Sequence, residues 1–100
     1  MSNTFFKFKQ FTVHQELCAM KVCTDACIQG AYTARYLNRN KTTVPAILDI
    51  GAGTGLLSLM LAQQTSSLIT AIELDPEAAK QAARNFIDSP WASRLQLTET

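Results

Sequence analysis

Three glycines spaced two apart, Gly51, Gly53 and Gly55, join a short apolar run, Ala46–Ile50, to a strongly apolar run of helix formers, Leu56 to Ala62. No other stretch restricts the possible folds of this chain as much. Glycine has no Cβ and accepts positive φ, so a turn of this kind brings bare backbone close to a ligand. The N–H groups and positive dipole end of the following helix face the same space. Such a loop suits a nucleotide-like cofactor held at the carboxyl end of a parallel strand.

Spacing narrows the cofactor. The dinucleotide fingerprint is Gly-x-Gly-x-x-Gly, with an acidic residue about 20 positions further on. Counted from Gly51, its third glycine falls at position 56, which is Leu56. A P-loop is excluded because no Gly-Lys-Ser/Thr follows. No lysine or arginine lies between Lys41 and Lys80 to meet a pyrophosphate. The residues Leu48-Asp-Ile-Gly-Ala-Gly-Thr-Gly55 resemble the first motif of class I methyltransferases, whose loop holds S-adenosylmethionine. That resemblance implies cofactor contacts at Asp49, Gly51, Ala52, Gly53 and Gly55, and at Glu73 and Leu74 at the end of the next strand.

The following segment agrees. Leu68–Leu74 is apolar and β-branched, as a buried parallel strand requires. Glu73 lies 22 residues after Gly51, and a carboxylate there can accept hydrogen bonds from both ribose hydroxyls of an adenosyl group. A solvated strand-end carboxylate is the other reading of Glu73. Asp49 suits a ligand neighbour or, better, an acceptor of loop N–H bonds that stiffens the turn. Asp75 is placed to cap the next helix, with Pro76 at its first position and Glu77 in its first turn. Ala79, Ala82, Ala83 and Phe86 form one face of that helix. The order of elements is the first βαβα of a doubly wound, mostly parallel α/β sheet, a Rossmann-like fold.

One hundred residues suffice for one small domain that buries roughly two-thirds of its unfolded surface. The resemblance implies about seven strands for the complete sheet. The sequence offers three, the third being Arg94–Glu99, so the chain reads as the amino-terminal half of a longer protein that needs its carboxyl-terminal half. Residues 1–44 form an extension with a strand or hairpin plus a helix, and residues 45–100 the first half of the cofactor domain. Asn38–Thr43 is the clearest loop.

Residues 1–20 lack an apolar segment of signal-peptide length, and no run approaches the ~20 residues that span a bilayer. Three cysteines, Cys18, Cys23 and Cys27, suit reduced thiols of the cytoplasm. With His14 they lack the paired Cys-x2-Cys spacing of zinc sites, and no metal is expected. Net charge is +1, but residues 1–45 carry six basic and two acidic side chains and residues 46–100 three and six. A basic amino-terminal segment suits either nucleic acid phosphates or a solvated face. Phe5–Val13 alternates aromatic and polar residues, with Phe6 and Phe8 on one side and Lys7, Lys9 and Phe11 on the other. Packing onto a core is favoured for that stripe over stacking with bases.

The segments Phe8-Lys-Gln-Phe11, Met20-Lys-Val-Cys-Thr-Asp25, Ile72-Glu-Leu74 and Ser89-Pro-Trp-Ala92 flank the loop. Together they are similar to the bacterial valine-tRNA adenine-N6-methyltransferases, and the similarity covers most of residues 8–97. Cys23 and Ala26 depart from it, standing where that family has glycines. The resemblance implies methyl transfer from S-adenosylmethionine to the exocyclic nitrogen of an adenine in a tRNA anticodon loop, with the target base unstacked into a pocket. It also places Thr24 and Asp25 near the methionine end of the cofactor, although Thr24 suits a helix cap equally well. In that family an Asn-Pro-Pro-Tyr motif after the fourth strand of the sheet faces the amine. This sequence has neither Asn-Pro nor Pro-Pro, so no residue of the chain is assigned as catalytic. A methyltransferase acting on a protein glutamine or a DNA adenine, or a cofactor-binding fragment without catalysis, are the alternatives.

Overall fold

The computed structural model describes residues 4–18, 24–39 and 44–100. Strands β1 (Phe5–Lys7) and β2 (Thr12–His14) form an antiparallel hairpin in which Phe6 faces Val13. Helix α1 (Thr24–Arg39) leads to β3 (Ala46–Ile50), α2 (Leu56–Gln64), β4 (Leu68–Glu73), α3 (Pro76–Ile87), a 3-10 turn at Ala92–Arg94 and β5 (Leu95–Glu99). The last three strands make a parallel sheet ordered β3-β4-β5. The expected loop begins later than its sequence suggests, since α1 runs through Arg39. Residues 40–43 and 19–23, the latter carrying all of Met20-Lys-Val-Cys23, lie outside the described residues.

Parallel neighbours need crossover connections, and here α2 and α3 provide them. Right-handed crossovers that run in one direction along a sheet place both helices on one face. Ile69 and Ala71 on that face are buried, joined by the partly buried Ile47, Leu95 and Leu97. The opposite face leaves Leu48, Ile50 and Leu68 exposed. Helix α2 is apolar nearly all round, and a helix of that kind needs cover on two sides. The sheet covers one side and α1 the other, through the cluster of Ala34, Leu61, Ala62 and Ile69. Gly30 allows the close crossing, because a Cβ there would lie 2.4 Å from Met60 Sδ.

Helix α3 starts as its sequence predicts. Asp75 accepts a hydrogen bond from the Ala78 N–H at 2.9 Å, and Pro76 occupies the first turn. Its buried face consists of Ala78, Ala79, Gln81, Ala82, Asn85 and Phe86, while Ala83 is half-buried. Gln81 and Asn85 therefore share the stripe that the alanines announced.

The hairpin is part of the same core. Phe11 and Val13 are buried with Leu56, Leu59, Ala71 and Phe86, and Phe8 packs against them. Phe8 and Phe11 stack at 4.8 Å between ring centroids, and Trp91 meets Phe11 edge-on at 5.6 Å. Strict alternation separates Phe8 from Phe11, yet both turn inward, because the strands end at Lys7 and resume at Thr12. Phe5 and Phe6 stay exposed. Cys18 is buried and Cys27 half-buried. Among the described residues no helix is long and apolar enough to cross a membrane.

Candidate functional site

The glycine loop leaves the carboxyl end of β3 with φ values of 74°, 58° and 88° at Gly51, Gly53 and Gly55. The three glycines serve two purposes. A Cβ on Gly51 or Gly53 would meet nothing within 4 Å, so both border open space. A Cβ on Gly55 would lie 2.7 Å from the Phe86 ring, so this glycine lets α2 pack against α3. Gly51 and Gly53 present backbone to a ligand, and Gly55 fixes the helix that follows.

Hydrogen bonds to β4 hold the turn. The Gly51 and Ala52 N–H groups both donate to Ile72 O, at 2.8 and 3.0 Å. The Gly53 N–H donates to Glu73 Oε1 at 2.7 Å, and the Asp75 N–H donates to Glu73 Oε2 at 3.0 Å. Each Glu73 oxygen thus has one protein donor. A carboxylate offers about four acceptor positions, so one on each oxygen is left for a ligand. The register explains the placement: Ile50 pairs with Ile72, so Glu73 emerges beside Gly51 just as the loop begins.

Asp49 has a different role from the loop acceptor its sequence position suggests. It is 8% exposed, and its Oδ2 accepts the Ser58 hydroxyl at 2.7 Å. Strand residues alternate faces, so Asp49 points under the sheet toward the third residue of α2. It ties strand to helix, and Glu73 takes the loop N–H instead.

The first turn of α2 stays open. Gly55 occupies its N-cap position with no side-chain cap, and Thr54 Oγ1 receives the Leu56 N–H at 3.3 Å. The positive end of the helix dipole is therefore directed at the space above Gly51 and Gly53. Leu74 follows Glu73 at 78% exposure, an apolar side chain on the rim. Asp25 is exposed in the first turn of α1, which Thr24 begins. Ala26 and Cys27 pack on the core cluster that also receives Ala52 and contains Leu56.

Asn85 is a residue that sequence reasoning passed over. Fully buried, it donates from Nδ2 to Thr54 O at 2.8 Å and to His14 O at 2.9 Å, and its Oδ1 accepts the His14 N–H at 2.8 Å. One amide therefore joins hairpin, α3 and glycine loop. The available signal was its spacing, four residues after Gln81, within the alanine stripe. Gln81 acts similarly through Oε1, which accepts the Leu17 N–H at 2.8 Å.

A family model described as a methyltransferase domain matches residues 47–99, which contain the loop, Glu73 and all of the three parallel strands except Ala46. The chain belongs to this methyltransferase domain family. Among curated relatives of the domain, the tRNA1(Val) (adenine(37)-N6)-methyltransferase of Cytophaga hutchinsonii is 54% identical over 97 residues, covering 97% of this chain and 39% of that protein. The chain spans about two fifths of the length of the curated relatives it matches. A Methanococcus maripaludis structure described as a candidate S-adenosyl-L-methionine-dependent methyltransferase is 29% identical, with a TM-score of 0.65 over 75% of this chain and 34% of that one. A candidate transferase from Pyrococcus horikoshii, 20% identical, superposes at a TM-score of 0.77 over 99% of this chain and 37% of its own. The domain accordingly has the Rossmann-like methyltransferase fold, represented here by three strands and their crossovers.

Proposed function

We propose that this methyltransferase domain holds S-adenosylmethionine in the loop Gly51–Gly55 and at Glu73, and that it serves in transferring the methyl group to N6 of an adenine in a valine tRNA. The observation that carries the cofactor reading is the pairing of open space over Gly51 and Gly53 with a Glu73 carboxylate 2.7 Å from the Gly53 N–H. The 54% identity to a tRNA adenine-N6-methyltransferase supports the acceptor.

The residues fit an adenosyl ligand. Glu73 has an acceptor position on each oxygen for a ribose diol, and its ionised form strengthens both bonds. Leu74 offers an apolar ledge for a base ring beside that carboxylate. Gly51, Ala52 and Gly53 allow backbone approach, and the open first turn of α2 suits electron-rich atoms. We assign Asp25 and Thr24, at the start of α1, to the amino-acid moiety, as the family resemblance implies. Asp49 acts through Ser58 by fixing strand to helix, as a positioning residue. When bound, S-adenosylmethionine supplies an electrophilic methyl on a sulfonium. Orientation is the task of this domain, and the group that faces the amine is not among its residues.

Two measurements test the reading. Calorimetric titration with S-adenosylmethionine should show binding that Glu73→Ala weakens about tenfold or more, the loss of one to two charge-assisted hydrogen bonds. Unaltered affinity would refute the Glu73 assignment. Mass spectrometry of valine tRNA from cells lacking the protein should show loss of N6-methyladenosine. Methyl loss from a protein glutamine or DNA adenine instead would replace the acceptor.

A further inference from the structure

Along the carboxyl-terminal half of α2, the hairpin, α1 and α2 enclose a groove of about 600 Å³. Its floor is apolar, made by Phe8, Phe11 and Met60, and its rim carries Lys9, Arg35 and Arg39. No carboxylate lines it among the described residues. Among the described residues neither arginine has an ion pair, the one such pair being Arg84 with Asp88 on α3. Beside the groove, Tyr32, Arg35, Tyr36 and Arg39 line a smaller hollow. These four residues fall at i, i+3, i+4 and i+7, one stripe along the helix. Tyr32 is 71% and Tyr36 57% exposed, so this stripe faces water instead of filling the core.

We propose that this groove and stripe form a docking surface for single-stranded RNA: the three cations hold successive phosphates, the tyrosines stack on bases, and the apolar floor receives one unstacked base. The proposal rests on the RNA-acceptor reading above and adds where a single-stranded segment of that substrate lies. Three chemical features select this occupant. Cations without an ion pair among the described residues match a polyanion, and arginine suits phosphate through its planar fork. Aromatic faces interleaved with cations are what stacked bases require. An acidic protein segment would satisfy the cations but offers no base to stack on the exposed tyrosine faces. A duplex would keep its bases stacked and leave the floor empty. The groove begins at Met60 and reaches Gln64, five to nine residues beyond Gly55, or about 7–13 Å along the helix. It therefore leaves the space over Gly51 and Gly53 clear while lying close enough to anchor a strand that reaches it.

Fluorescence anisotropy with a labelled single-stranded RNA of about 12 nucleotides, repeated across salt concentrations, tests this surface. Arg35→Gln with Arg39→Gln should flatten the dependence of log affinity on log salt by about 1.4, two phosphate contacts at about 0.7 each. Tyr32→Ala with Tyr36→Ala should weaken binding about tenfold and leave the salt slope unchanged. All four positions are exposed, so these variants keep the fold, and circular dichroism verifies it. RNA affinity that neither double variant changes would overturn the proposal. So would equal binding of polyglutamate that the tyrosine variants leave intact, which would assign the face to an acidic protein. Titration of the same variants with S-adenosylmethionine separates the two readings: unchanged cofactor binding with altered RNA binding isolates the groove. Loss of cofactor binding in Glu73→Ala with RNA affinity retained isolates the loop.

Discussion

At the scale of single residues, the loop glycines differ in what surrounds them. Gly51 and Gly55 both have positive φ, at 74° and 88°. An alanine in that region costs about 1–2 kcal/mol of backbone strain at either position. At Gly55 the added methyl would also collide with Phe86. Gly55→Ala should therefore lower stability beyond the strain alone, by about 3 kcal/mol in total, seen as a fall in denaturant midpoint. Gly51→Ala should lose stability by the strain alone, but its methyl would project into the open space and weaken cofactor binding more than folding. Equal losses of stability in the two variants would contradict this division. The sequence showed three glycines, but their separate duties follow from Phe86, 31 residues away. Glu73 and Asp49 teach the same lesson, since both are acidic strand-end residues and the register alone sends one to the loop and the other to Ser58.

At the scale of elements, local chemistry was the best guide. Asp75-Pro-Glu encodes a helix start in three residues, and α3 starts there. Asp75→Ala should cost about 1 kcal/mol, the usual loss for an N-cap, measured as a shift in the thermal unfolding midpoint. Asp75→Ser should recover most of it, and a Ser variant no better than Ala would show that the cap carries no stability. The apolar run Leu56–Ala62 likewise predicted a helix buried on two sides, and α1 and the sheet cover it. The hairpin was legible as alternation, but not its inward turn at Phe8 and Phe11. Period-two patterning describes strands, and those two rings flank a connection that the packing of Trp91 and Phe86 shapes.

At the scale of the molecule, one buried amide connects three parts of the chain. Asn85 bonds to the hairpin 71 residues away and to Thr54 of the loop 31 residues away. Asn85→Ala should leave the His14 N–H and two carbonyls unsatisfied and lower stability by about 3 kcal/mol. Cofactor affinity should fall with it, because Thr54 loses the bond that fixes the loop against α3. Thermal unfolding and titration of the variant check both, and a stable variant with unchanged affinity would show that the loop is held from β4 alone. The sheet also has two unlike faces. One is covered by α2 and α3, and the other exposes Leu48, Ile50 and Leu68. Leu68–Leu74 was legible as an apolar, β-branched run, the pattern of a strand buried in a parallel sheet.

The sequence by itself determined the strand–loop–helix unit, the cap of α3, the parallel strands and the position of Glu73 at a strand tip. Each depends on residues within a few positions of one another, where φ preference, capping and periodicity act directly. Only the tertiary structure decided which carboxylate binds the Gly53 N–H, why Gly55 must be glycine, what Asn85 joins, and that Lys9, Arg35 and Arg39 rim one groove. Those pairings span 20 to 71 residues. They depend on crossover handedness, strand register and the crossing of α1 over α2, which no single stretch of the chain specifies alone.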